Sequence, residues 1–84
     1  QMNPLTFRIL CHGLSFKSGW SVNKCMIDTG YTRNVVYRHL SWLIDKGYVL
    51  RRTNRSTGRY YYRFRTIEGE WTDAETGTED STSD

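Results

Sequence analysis

The sequence predicts one small α+β domain, three helices followed by a two-stranded β-hairpin, and two changes of pattern along the chain carry that prediction. Between Asn3 and Lys46, apolar residues recur at helical spacing in three segments, each opened by a side chain able to cap a helix. After Gly47 the spacing switches to the alternation of strands, interrupted by the turn chemistry Asn54-Arg55-Ser56-Thr57-Gly58. The length, 84 residues, allows a single core near the lower limit for independent stability.

Gln1 precedes Met2, the expected initiator, and is left out of the fold. The first helix is expected to start at Asn3-Pro4, where Asn caps free backbone N–H groups and Pro at the first helical position loses no needed hydrogen bond. Phe7, Leu10, Cys11 and Leu14 form its predicted apolar stripe, and Gly13 is expected to weaken its last turn. Phe16 to Gly19 connect, and a short extra strand at Trp20 against the hairpin stays open. Ser21 caps a short second helix with Val22, Cys25 and Met26 on one face, ended at Thr29-Gly30-Tyr31. Thr32 caps the third and longest helix, which runs to about Lys46 with Gly47 as a left-handed stop and Val36, Leu40, Leu43 and Ile44 as its buried stripe. Both Cys11 and Cys25 fall on predicted apolar faces and read as reduced core thiols.

The first strand starts at Tyr48-Val49-Leu50 and leads into Arg51-Arg52-Thr53. The second spans Arg59 to Thr66 and alternates Tyr60, Tyr62 and Phe64 with Tyr61, Arg63 and Arg65, which predicts one aromatic and one basic face. The domain is expected to cover residues 2–67, with 68–84 an acidic tail whose last part, 73–84, is expected to be disordered. Charge divides at the same place. All twelve Lys and Arg lie at or before Arg65, accompanied there by Asp28 and Asp45 alone, for a net +10. From Thr66 onward there are seven acidic and no basic residues, for a net −7.

A helix, a three-residue turn containing Gly and a longer amphipathic helix make the helix-turn-helix pattern, and a following hairpin completes a winged helix-turn-helix. Such a fold is expected to bind double-stranded DNA. With the third helix in the major groove, its first turn and a half presents Arg33, Asn34, Tyr37 and Arg38 to base edges. Thr32, Ser41, Arg51, Arg52, Arg55, Arg59, Tyr61, Arg63 and Arg65 are the candidates for the DNA backbone and the wing. Forked guanidinium donors suit phosphate oxygens better than an ammonium does. A single-strand stacking role for the tyrosines leaves Tyr61 alone as the candidate, since Tyr60 and Tyr62 are expected in the core. No catalytic residue, metal site, cofactor or small-molecule pocket is expected, because His12, His39, Asp28 and Asp45 lie at no catalytic or ligand spacing. No apolar run is long enough to span a membrane.

The run Gly30-Tyr31-Thr32-Arg33-Asn34-Val35-Val36-Tyr37-Arg38, then Leu40, Leu43, Lys46-Gly47-Tyr48-Val49, Arg51-Arg52 and Gly58-Arg59-Tyr60, resembles the N-terminal winged helix domains of bacteriophage replisome organisers and related phage helix-turn-helix proteins. The resemblance covers Leu5 to Phe64. It implies origin or operator binding in phage replication or transcription control, in the cytoplasm of a bacterial or phage-infected cell, with Arg33, Asn34, Tyr37 and Arg38 on the recognition helix and Arg55 to Arg59 at the wing tip. A homodimer, with Trp42 or Trp71 at its contact, stays open. So does the alternative of a small phage-encoded inhibitor, of the anti-CRISPR or anti-restriction type, that turns the same scaffold on a host protein or nucleoprotein complex. The acidic tail reads first as a solubilising segment and second as a competitor of DNA for the hairpin.

Overall fold

In a computed structural model that describes residues 2–16, 19–66 and 68–72, α1 (Pro4–Leu14) starts as expected, with the Asn3 Oδ1 accepting from the Leu5 N–H at 2.8 Å. Its buried face differs from the predicted stripe. Thr6, Ile9, Leu10 and Gly13 are buried, Leu14 is partly covered, and Phe7 and Cys11 face outward. Two contacts rotate the helix. Thr6 Oγ1 lies 2.7 Å from the Nδ1 of His39, which draws a polar residue inward, and Gly13 sits beneath the ring of Phe64 so closely that a Cβ there would lie 2.3 Å from it. Cys11 is therefore an exposed free thiol, while Cys25 is buried and free.

Trp20 forms no strand. It joins the hairpin through its ring, which meets Tyr62 and Phe64 edge-on with centroids 5.4 and 4.8 Å away. α2 (Val22–Thr29) is capped by Ser21, whose hydroxyl accepts from the Lys24 N–H at 3.1 Å, and ends at Gly30 with φ +80°. Val22 and Cys25 face the core.

α3 (Arg33–Asp45) begins at the Thr32 cap, and its Val36, Leu40 and Leu43 are buried, with Ile44 partly so. Its end is a Schellman motif: Tyr48 N–H donates to Leu43 O at 2.9 Å and Gly47 N–H to Ile44 O at 3.1 Å, with Gly47 at φ +86°. That turn reverses the chain directly into β1 (Val49–Thr53), which pairs antiparallel with β2 (Tyr60–Phe64) in the register Val49 with Phe64, Arg51 with Tyr62 and Thr53 with Tyr60. Asn54 closes the loop by accepting from the N–H groups of Ser56 and Gly58 and donating its own to Arg59 O.

Val49, Tyr62 and Phe64 on the inner face of the sheet meet Ile9, Trp20, Val36 and Leu43 in one core. Three helices followed by a two-stranded antiparallel hairpin is thus an α+β arrangement with the layout of a winged helix. Backbone pairing is also made by residues that follow β2. Trp71 bridges to Arg65, Thr72 N–H donates to Phe64 O at 2.9 Å, and Thr72 Oγ1 accepts from Phe64 N–H at 2.9 Å. The predicted disorder of 73–84 lies outside the described residues. Among the described residues no helix is long and apolar enough to cross a membrane.

Candidate nucleic-acid interface

The outward side of α3 is set by helical periodicity. With Val36, Leu40 and Leu43 inside, Asn34, Arg38, Ser41 and Asp45 project together along the opposite stripe, and all four are exposed. Two of the four predicted base-reading residues, Asn34 and Arg38, lie on it. Arg33 and Tyr37 are half-buried beside it. Arg33 Nη2 donates to Asn23 Oδ1 at 2.6 Å, so the first turn of α3 is tied to the first turn of α2. Thr32 is exposed, and its hydroxyl accepts from the Val35 N–H at 3.3 Å as the helix cap. Asp45 closes the stripe at its C-terminal end, which makes the N-terminal half of α3 the part suited to an anionic partner.

The hairpin arginines separate into three groups. Arg55 and Arg59 are exposed at the loop, and Arg52 is exposed on the outer face, opposite Tyr61. Arg51 instead pairs with Tyr62 and so belongs to the inner, aromatic face, where its guanidinium covers the ring of Tyr60 at 4.5 Å. The expected division into one basic and one aromatic face therefore fails at Arg51. Arg63 and Arg65 stay on the outer face but are half-buried and held. Arg63 Nε–H donates to Thr72 O at 3.0 Å with its guanidinium 6.0 Å from the Trp71 ring, and Arg65 lies 5.1 Å over Tyr48. Tyr61 is half-buried, its hydroxyl accepting from the Asn54 side-chain amide at 2.6 Å.

Both histidines make side-chain hydrogen bonds within the fold. His12 accepts the indole N–H of Trp20 at Nδ1, 2.9 Å away, and donates from Nε2 to the Asp28 carboxylate at 2.8 Å, so both ring nitrogens are engaged. This chain of bonds joins α1, the connection and α2. Spacing gave no sign of it, because the three partners come from three separate segments. His39 has its pKa lowered from the ordinary value by burial first and by the charge of Arg38 second. Among the described residues, no group of three His, Cys, Asp or Glu side chains converges as a metal site would require.

Other contacts of the surface escaped the sequence as well. Asn23 is exposed and directly follows the first residue of α2; its place after the Ser21 cap was the one available signal. Arg8 over the ring of Tyr31 and Lys46 over that of Trp42, each at 5.8 Å, have no marker in spacing. Trp42 and Trp71, the residues considered for a dimer contact, are half-buried. No family model, curated protein or solved structure matches the chain.

Proposed function

We propose that this domain binds double-stranded DNA, with the N-terminal half of α3 in the major groove and the hairpin loop on the phosphate backbone. One observation carries the reading: in a winged-helix layout, Asn34 and Arg38 are exposed on α3, and Arg52, Arg55 and Arg59 are exposed on the hairpin that follows it. Asn pairs with adenine and Arg with guanine at major-groove edges, while the loop arginines suit phosphate. Arg33, held by Asn23, serves as a pre-positioned donor beside them. A role in phage replication or transcription control, in the cytoplasm, follows from the family resemblance alone.

The test is duplex binding measured against salt. Arg55→Ala with Arg59→Ala should weaken binding to all sequences and reduce the salt slope by about two. Asn34→Ala and Arg38→Ala should instead erase discrimination at particular base pairs, at a cost of ~1–3 kcal/mol each. Binding that ignores salt, or is absent, refutes the proposal.

A second reading, a protein partner of the inhibitor type, is favoured by the exposed apolar side chains Leu5 and Phe7 on α1 and Ile27 on α2, the last 80% exposed. Phe7→Ser with Ile27→Ser should then abolish capture of that partner and leave duplex binding unchanged.

A further inference from the structure

The segment after β2 runs antiparallel to it, and β2 runs from the loop to the base of the hairpin, so residues 70–72 run back in the direction of the loop. Trp71 shares a face with its bridge partner Arg65. By strand alternation that face also carries Arg63 and Tyr61, opposite the buried Tyr62 and Phe64. Arg63 stands at the junction, bonded to Thr72 O. The buried Nε of Arg65 finds no hydrogen-bond acceptor among the described residues. No hairpin arginine has a carboxylate within ion-pair distance among those residues either. Beyond Thr72 the sequence carries Asp73, Glu75, Glu79, Asp80 and Asp84 and no basic residue.

We propose that the acidic segment 73–80 docks on the outer, arginine-bearing face of the hairpin and there competes with nucleic acid. The register supports it. A chain that keeps the pairing of Trp71 with Arg65 brings residue 73 level with Arg63 and residue 75 level with Tyr61. Asp73 and Glu75 then share the outer face with Arg63 and Arg65, with Arg52 one strand further on, while the small Ala74 takes the other face. Glu79 and Asp80 come next, in the direction of Arg55 and Arg59. The competition, though not the docking, rests on the DNA-binding reading above.

The experiment compares the full chain with a full-length variant carrying Asp73→Asn, Glu75→Gln, Glu79→Gln and Asp80→Asn, whose fold is checked by an unchanged far-ultraviolet circular dichroism spectrum and melting temperature. Amide hydrogen exchange at Tyr60 reads docking, because alternation points this amide toward the edge that Thr72 occupies. Titration with a random-sequence duplex at low salt reads competition. Neutralisation should speed exchange at that amide and tighten duplex binding, each by about tenfold, four ion pairs at the surface having small individual worth. Both effects should fade as salt rises. Unchanged exchange overturns the proposal, even if duplex binding tightens, since long-range repulsion then suffices. Faster exchange with no duplex binding by either protein upholds docking and overturns the DNA reading instead. Faster exchange with duplex affinity unchanged upholds docking and overturns the competition.

Discussion

Replacing Gly13 with alanine separates a reading of the sequence from a reading of the structure, because the two give opposite signs. Glycine within a helix costs roughly 1 kcal/mol relative to alanine, so helix propensity alone makes Gly13→Ala stabilising by about that amount. In the folded chain the added Cβ would stand 2.3 Å from Cδ2 and Cε2 of Phe64, well inside carbon–carbon contact distance. Phe64 has no room to yield, being 0% exposed and packed edge-on against Trp20 at 4.8 Å. Overpacking of this kind costs about 1–3 kcal/mol. An overlap exceeding 1 Å against a ring belongs at the upper end, ~3 kcal/mol, and the propensity gain reduces this to a net loss of about 2 kcal/mol. For a domain of this size that lowers Tm by roughly 8–16 °C.

Urea and thermal unfolding followed by far-ultraviolet circular dichroism measure the change directly. A double-mutant cycle with Phe64→Leu isolates the cause. The pair should be more stable than the sum of the single losses predicts, by at least about 1 kcal/mol, since the smaller side chain makes room for the methyl group. A Gly13→Ala protein that melts at or above the parent would refute the close approach of α1 to β2.

The same packing sets three further outcomes. Cys25 is fully buried and its thiol is pushed up to about 11, chiefly by desolvation, whereas Cys11 is exposed; iodoacetamide at neutral pH should label Cys11 at least about a hundredfold faster in native protein, and equal rates would contradict the burial. The folded pKa of His39 lies below its ordinary 6.5, so the unfolded chain binds the extra proton; stability present above pH 6.5 should be lost as pH falls through the folded value, and His39→Gln should flatten that slope in urea midpoints taken from pH 5 to 7.5. His12→Ala removes the acceptor from the buried Trp20 indole and should cost about 1–3 kcal/mol beyond its packing, while Asp28→Asn at an exposed carboxylate should cost under about 1 kcal/mol; the reverse order of the two midpoints would overturn the assigned bonding.

Local signals wrote most of the element list into the sequence. Asn3, Ser21 and Thr32 cap the helices they were expected to cap, and Gly30 and Gly47 take the left-handed stops, because capping and turn chemistry act within four residues and need no distant partner. Alternation likewise placed Tyr62 and Phe64 inside and Arg63 outside. The tertiary structure alone decided which side of α1 turns inward, since Thr6 is drawn in by His39 and Gly13 is selected by the ring of Phe64, partners 33 and 51 residues away in the chain. It also decided how Trp20 meets the hairpin, which arginines are held and which project, and that Trp71 and Thr72 extend the folded chain. Periodicity reports that a helix has an apolar side and a strand two faces. The final rotation of each element, and the freedom of each charged group, come from long-range contacts that no local pattern encodes.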